Sequence, residues 1–313
     1  MKRIYISILA LCMVLMATAQ APADKTWTLA MKVVVEELAE PFPATARIQL
    51  THQLNKLLTQ NGIASSDMQN QFFITATATP LTKDILPGPP TQIAENMEIT
   101  FYIADAYNQV IFSTTSLTAK GVGITEAKAY MNAIQHLNIN QPDLQEFVQK
   151  GKTKVIDYYN TQADKMFAKA RSLAFQKDYE QALYIVTCIP SECDRYEDAL
   201  AMGNEIFQQY IDYLCDVNLA AAKTAWMAEQ NSKGAENAGA YLQYIYPDAA
   251  CYEDAQVLYQ EIKGKVLDDW KFEMKKWQDG IDIEMAKIYA WRDIGVAYGT
   301  NQQPITTGWN FLR

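Results

Sequence analysis

The stretch CIPSECDRYEDA, residues 188–199, has a close counterpart in YPDAACYEDA, residues 246–255. Each contains a proline, a short gap with a cysteine, and then Tyr-Glu-Asp-Ala. Proline cannot continue a helix, and acidic residues are favourable at the N-terminus of the next helix. The period is about 56 residues, and alignment of Pro190 with Pro247 needs a one-residue gap. The pattern predicts a repeated turn between helices; the alternative is coincidence in an acidic, helix-rich chain.

Helical patterns lie on both sides of these turns and extend from residue 142 to about residue 300. A short helix is expected before each proline, and a helix of 35 residues is expected from Tyr196 to Gln230. A last long helical region is expected to begin at Tyr252. The C-terminal half is therefore predicted to be an all-α domain.

The segment AKARSLAFQKDYEQALYIV, residues 168–186, resembles a tetratricopeptide-type helical hairpin. Ala170 and Ala182 stand where that family places small residues. The resemblance covers about residues 168–262 and departs from the pattern at Pro190, which comes early. It implies helical-repeat packing and protein-binding surfaces, without a particular ligand.

The N-terminal half, residues 24–140, alternates segments rich in β-branched and aromatic residues with segments of helical spacing. The fold class predicted for the whole chain is α+β. An N-terminal α/β sandwich-like module of about four strands and two helices precedes an all-α helical-repeat-like domain. Strands are expected at residues 26–35, 72–79, 97–103 and 110–117, and helices at residues 44–60 and 125–137.

One step in this half leads from glycines into a helix and reads KGVGITEAKAYMNAI, residues 120–134. Together with the order strand, helix, three strands, it resembles the small α/β modules of envelope lipoproteins of the curli-secretion (CsgG-like) type. The resemblance implies that fold for residues 24–140.

The first residues, MKRIYISILALCMVLMATAQA, combine a basic start, an apolar run and a small-x-small cleavage site. This pattern predicts a secretory signal peptide at residues 1–19, because the run is shorter than the roughly 20 residues that span a bilayer. A buried N-terminal helix is the alternative. The Ala19–Gln20 junction resembles those of exported Bacteroidota proteins. Four regions are thus expected: the signal peptide, an α/β domain at residues 24–140, a helical domain at residues 142–300 and an irregular tail at residues 301–313.

The balance of charge excludes some partners. The formal net charge is −9, and removal of Lys2 and Arg3 with the signal peptide would make it −11. An acidic surface repels phosphate backbones, so nucleic acid is a poor candidate partner. The two histidines lack partners at metal-ligand spacing, and no P-loop or nucleophile elbow is present. We therefore predict no cofactor, no metal site and no catalytic residue.

An enzyme remains the alternative because of one segment, PLTKDILPGPPTQIAEN, residues 80–96. Its four prolines and one glycine predict a long irregular loop, and long loops in compact domains are often functional. Carboxylates near it, such as Asp84 with Glu95 or Glu98 with Asp105, would suit a glycan hydrolase.

The cysteines should tend to pair in an oxidising compartment. Cys188 and Cys193 flank one proline turn and can approach each other. The short helix expected before Pro247 runs back about 18 Å at about 1.5 Å per residue, which brings Cys251 close to Cys215. Bridges Cys188–Cys193 and Cys215–Cys251 are therefore predicted, with free thiols as the alternative.

A stripe at alternating steps of three and four residues follows Gly264. We expect a helix whose stripe packs on the preceding helices, or else forms an interaction surface for a partner or a membrane. Its members are Leu267, Trp270, Met274, Trp277 and Ile281.

The function predicted from these features is that of a non-catalytic binding or scaffolding protein of a bacterial cell envelope. It would act in the periplasm or outside the cell, after cleavage of the signal peptide, through protein–protein contacts of its helical repeat. We expect a protein partner in the envelope, no integral membrane span and possible homo-oligomers. The alternatives are an exported enzyme that uses carboxylates near residues 80–96 and a subunit of an oligomeric envelope assembly.

Overall fold

The structure is a computed structural model that describes residues 29–35, 43–65, 71–267, 270–276 and 282–301. The expected signal peptide and residues 302–313 of the expected tail lie outside these ranges. The N-terminal half contains a mixed sheet of order β2-β1-β3-β4-β5, and helices pack against it. Its elements are β1 Ala30–Val33, α1 Ala44–Gln60, β2 Ala64–Ser65, β3 Phe72–Leu86, β4 Gln92–Asp105, β5 Val110–Gly123 and α2 Glu126–Gln135.

The C-terminal half is helical. Its elements are α3 Pro142–Phe175, α4 Tyr179–Thr187, α5 Tyr196–Ala228, α6 Ser232–Leu242, α7 Tyr252–Val266 and α8 Ile283–Asn301. The predicted α+β fold class, a sheet-and-helix module followed by an all-helical region, is confirmed.

The sheet packs through the buried residues of one face. β1 is parallel to β2 and β3, whereas β3, β4 and β5 form an antiparallel meander. Ile99, Phe101 and Ile103 alternate along β4 with more exposed residues and are at most 1% exposed. Helix α1 buries Leu50 and Leu54 in the same core, as its helical spacing predicts.

Helix α2 lies very close to β5. Thr125 caps the helix, and its hydroxyl accepts a hydrogen bond from the Lys128 backbone N–H at 3.3 Å. A Cβ atom at Gly121 would lie 2.1 Å from the carbonyl oxygen of Ala129, so only glycine allows this approach. The predicted glycine-to-helix step is therefore a packing device between sheet and helix.

The prediction of an irregular loop at residues 80–96 is wrong. β3 continues to Leu86 and β4 begins at Gln92, so residues 80–96 form the outer half of a long hairpin with a short connection. β1 pairs with β3 only at Phe73 and Ile74, and the β3–β4 register shifts between Pro80 and Thr82. Proline is tolerated on an edge or at a bulge because its missing N–H breaks no ladder there.

The two turns of the helical half repeat in their hydrogen bonds. The backbone N–H of Cys193 donates to the carbonyl of Pro190, and that of Tyr196 donates to Cys193, at 3.1 Å each. Fifty-six residues later Ala249 donates to Tyr246 and Tyr252 donates to Ala249, at 3.1 and 2.9 Å. The predicted repeated turn is confirmed, and its backbone needs no one-residue gap.

Burial repeats at the same offset of 56 residues. Fully or nearly fully buried residues coincide on the short helices, the turns and the long helices. The pairs are Ala182 with Ala238, Val186 with Leu242, Ile189 with Ile245, Ala199 with Ala255 and Ile206 with Ile262. α3–α4 and α5–α6 are therefore equivalent hairpins, each followed by an equivalent long helix, α5 or α7.

Helix α3 joins the two halves into one continuous core. Tyr159 of α3 donates a hydrogen bond of 2.5 Å to the buried carboxylate of Asp105 at the end of β4. Asp105 also accepts from the backbone N–H groups of Tyr107 and Asn108, at 2.8 and 2.9 Å. Burial, with Asp105 nearby, raises the pKa of Tyr159 well above its ordinary value, so its hydroxyl stays a donor.

The four cysteines of the described residues form one disulfide bridge and two free thiols. Cys215 and Cys251 form a disulfide with Cα atoms 5.9 Å apart. Cys188 and Cys193 are free and buried. The Cys193 thiol contacts the carbonyl of Ile156 on α3 at 3.8 Å, whereas the Cys188 thiol lies within hydrogen-bond reach of the Tyr184 side chain. The two side chains thus have different surroundings, although they flank one turn.

Candidate functional site

The carboxylates near the β3–β4 hairpin do not converge. Lys83 stands opposite Glu95 in the antiparallel register, so Asp84, its neighbour, points to the other face of the sheet. Glu98 and Asp105 are seven residues apart on β4, on the order of 23 Å. Paired glycosidase carboxylates stand about 5–10 Å apart. Neither predicted pair therefore has a catalytic arrangement.

Glu95 is buried beside Lys83, 3.9 Å away, and Lys83 binds Glu126 of α2 at 2.6 Å. Burial, followed by the Glu126 charge, raises the pKa of Glu95. This group ties the hairpin to the N-terminus of α2. Among the described residues, no cluster of His, Cys, Asp and Glu could hold a metal ion.

The expected helix with a heptad-like stripe is not formed by the described residues 270–276. α7 ends at Val266, and Leu267 has a φ of 54° and is 69% exposed. Residues 270–276, which we call the strap, are not helical. Trp277 and Ile281 lie outside the described residues.

Side chains of the strap alternate between burial and exposure. Trp270 and Met274 are buried and Phe272 is half-buried, whereas Lys271 and Glu273 are exposed. Such alternation is typical of an extended segment with one face on a surface. Sequence reasoning missed Phe272. A spacing of four residues between Trp270 and Met274 fits both a helix and an extended chain, and only Phe272 between them distinguishes the two.

The strap packs on α6 and α7. Trp270 and Phe272 stack with ring centroids 5.1 Å apart, and Tyr259 of α7 lies 5.4 Å from the Trp270 ring. Gly239 of α6 faces both strap rings; a Cβ there would lie 3.2 Å from Trp270 and 3.4 Å from Phe272. Aromatic side chains of the strap are therefore in direct contact with both α6 and α7.

Two tyrosine hydroxyls of α7 bind the strap backbone. Tyr252 donates to the carbonyl of Lys275 at 2.6 Å, and Tyr259 donates to that of Phe272 at 3.3 Å. Seven residues of helix rise about 10.5 Å, and three residues of extended chain span about 10 Å. The donor and acceptor spacings therefore match.

Helix α8 occupies equivalent positions on the first repeat. Gly203 and Tyr196 stand 56 residues before Tyr259 and Tyr252. A Cβ at Gly203 would lie 2.4 Å from the Trp291 ring, and Arg292 donates to the Tyr196 hydroxyl at 3.2 Å. The C-terminal segment thus covers the same face of both repeats, as a helix on one and as an extended strap on the other.

A groove between α5 and α7 remains open. It has a volume of about 440 Å³, and we call it the α5–α7 groove. Trp226 is buried at its base, where its indole N–H donates to Glu261 at 2.9 Å. The groove is lined by Lys223, Trp226, Met227, Gln230, Asp254, Val257, Leu258 and Glu261.

Two large apolar side chains of this groove face solvent. Met227 is 74% exposed and Val257 is 69% exposed. The residues at the equivalent positions one repeat earlier are Arg171 and Ala201, which are also exposed. Because the same helical packing forms with a charged and a small residue there, the fold does not require apolar residues at these positions.

Among the described residues, no helix is long and apolar enough to cross a membrane. The molecule is thus an α+β chain. One face of its helical half is covered by the C-terminal segment, and another face carries a groove with apolar and charged lining residues.

No protein-family model matches the chain, and no curated protein matches it. One matching solved structure is a minor lipoprotein from Acinetobacter baumannii. It is 24% identical, and the match covers 39% of this chain and 94% of the lipoprotein with a TM-score of 0.25. This TM-score is too low for the likeness to carry an argument.

Proposed function

We propose that this protein is a non-catalytic binding or scaffolding component of a bacterial envelope, and that its α5–α7 groove holds an amphipathic helix of a protein partner. The observation that carries the proposal is the exposure of Met227 and Val257. Contiguous exposed apolar side chains are typical of interaction sites, and Met227 and Val257 line the same groove.

The shape and charge of the groove support a helical partner. Two helices, α5 and α7, form its walls, and an amphipathic helix can lay its apolar face between them. Lys223 lies on the α5 side and Asp254 on the α7 side, so the charged face of the partner would find both signs at the rim. Charges at a rim contribute mainly to orientation and to the rate of association.

The test is the double substitution Met227→Glu and Val257→Glu in the full chain. Both side chains are exposed, so the melting temperature should stay within about 2 °C of wild type, since surface changes usually cost less than about 0.5 kcal/mol. Capture of the partner from envelope extracts, measured by quantitative mass spectrometry, should fall at least tenfold, because two carboxylates would then face an apolar surface.

Val217 provides the matched control. It is 50% exposed on the same helix and lies about 15 Å along the axis from Met227. Val217→Glu should leave partner capture unchanged. Equal losses in the groove variant and in Val217→Glu, or capture unaffected by the groove variant, would contradict the proposal.

We also propose that the protein is exported and that the signal peptide is removed near Gln20. The basic start, short apolar run and small-x-small site support this. Mass spectrometry of protein from its native cells should find a mature N-terminus between Gln20 and Pro22. A chain that retains the apolar run from Ile4 to Met16 would rule it out.

A further inference from the structure

We propose that the surface formed by α6 and α7 is a second binding site, which takes an extended segment of a partner protein with an aromatic-x-aromatic pair followed by a lysine. In this structure the strap, with Trp270, Phe272 and Lys275, lies in that site as an internal ligand. The proposal involves a different surface from the α5–α7 groove and does not depend on the function proposed for it.

The hydrogen bonds support recognition of an extended backbone. Tyr252 and Tyr259 donate to main-chain carbonyls of the strap, so any extended segment can accept these bonds whatever its side chains. In peptide recognition of this kind, main-chain bonds supply affinity and pockets for alternate side chains supply specificity. The strap has this division, because Trp270, Phe272 and Met274 are the residues that face the helices.

The contacts of the strap define the chemistry of the ligand. Tyr259 and Gly239 form a surface for two aromatic rings. The Lys275 ammonium lies 3.8 Å from the centroid of the Tyr246 ring, so the site also holds a cation. An aromatic-x-aromatic segment with a lysine three residues after the second ring would supply the two aromatic rings and the cation.

The strap does not fill the site. A depression of about 380 Å³ that is open to solvent lies between the strap and α6; the strap contributes Trp270, Lys271 and Phe272 to its wall, and α6 contributes Glu236 and Gln243. A partner segment with a larger or longer side chain at the position of Lys271 would fill this space and meet the Glu236 carboxylate.

The test uses a fluorescent peptide with the strap sequence, WKFEMKK, and the full chain carrying Trp270→Ala and Phe272→Ala. In wild type the strap competes at an effective concentration on the order of millimolar. The peptide should therefore bind the variant at least about tenfold more tightly than wild type, as measured by fluorescence anisotropy. A peptide of the same composition with its two aromatic residues adjacent should not bind.

Tyr259→Phe in the same background separates backbone recognition from ring stacking, because it keeps the ring and removes the donor. It should weaken peptide binding several-fold. If a chain with Trp270→Ala and Phe272→Ala keeps the wild-type circular dichroism spectrum and still does not bind the peptide, the proposal is wrong.

A second measurement covers the case in which that variant fails to fold. Excess unlabelled peptide, added to isotope-labelled wild-type chain, should accelerate hydrogen exchange of strap amides and leave α8 unchanged. Unchanged exchange in the strap would overturn the proposal. A wild-type dimer that dissociates when the strap is substituted would also overturn it, in favour of segment exchange between two copies.

Discussion

At the scale of the residue, glycines show how closely the C-terminal segment packs on the repeat. A Cβ at Gly295 of α8 would lie 2.8 Å from a side-chain atom of Thr187, and one at Gly203 of α5 would lie 2.4 Å from the Trp291 ring. Trp291 is fully buried, and its indole N–H donates to Asn204 at 3.0 Å. Because the ring is fully buried, it cannot move away from a Cβ atom at residue 203. Helix α8 can therefore pack on α5 in this way only when residue 203 is glycine.

Gly203→Ala should therefore destabilise the protein, although alanine is the better helix former. We expect a loss of about 1–3 kcal/mol, which is typical of overpacking, measured by denaturant unfolding. Gly264 of α7 is the matched control, because a Cβ there meets nothing within 4 Å. Gly264→Ala should raise stability by up to about 1 kcal/mol. Equal effects of the two substitutions would show that α8 does not pack on Gly203.

At the scale of the element, the helical hairpins explain the positions of the cysteines. α6 has 11 residues and runs back along α5, so its following turn brings Cys251 beside Cys215, 36 residues earlier. The turn after α4 contains Cys193 instead, at the position equivalent to Ala249. The repeated turn thus has its cysteine at a different position in each copy. Of the four cysteines in the described ranges, Cys215 and Cys251 are the pair that the fold brings together.

The disulfide should stabilise the second hairpin. Closure of a loop of this length stabilises a fold by about 2–4 kcal/mol. Substitution of both Cys215 and Cys251 by alanine should lower the melting temperature clearly, and a reductant should lower that of wild type by a similar amount.

Substitution of Cys188 by alanine gives the control, because that thiol is free and buried. The protein carrying Cys188→Ala should keep its sensitivity to reductant. If reductant did not lower the melting temperature of the wild-type protein under unfolding conditions, the presence of the Cys215–Cys251 bridge would be contradicted.

Elements with one clear periodicity could be predicted from the sequence, and the others could not. Helix α1 and the start of α5 at Tyr196 were predictable because apolar spacing and a preceding breaker agree. The hairpin at residues 80–96 was not, because the edge position that makes Pro80 harmless is a property of the sheet. The strap could not be predicted either, because the spacing of Trp270 and Met274 fits both a helix and an extended chain.

At the scale of the whole molecule, the two halves are joined by α3 and by the start of β1. The backbone N–H of Leu29 donates to the Glu192 carboxylate in the first repeated turn, at 3.0 Å. With the contact of Tyr159 and Asp105, this places the hairpin repeat at a fixed position beside the sheet. The α5–α7 groove lies in the second repeat, beyond the helices that contact the sheet, and so remains available to a partner.

The candidate surfaces could not be predicted from the sequence alone. The sequence shows that Met227 and Val257 are apolar, but exposure depends on which helices lie beside them. Their equivalence to Arg171 and Ala201 became visible only once the repeat of 56 residues was seen in hydrogen bonds and burial. The function of this protein is therefore best tested at those two positions.

The most direct test is photo-crosslinking in intact cells, with a benzophenone amino acid at residue 257 in one strain and at residue 217 in another. We predict one discrete protein adduct from residue 257, its loss when Met227→Glu is added, and none from residue 217. Adducts of equal yield and identity from both positions, or none from residue 257 in a correctly folded protein, would contradict the claim that the groove binds a protein partner.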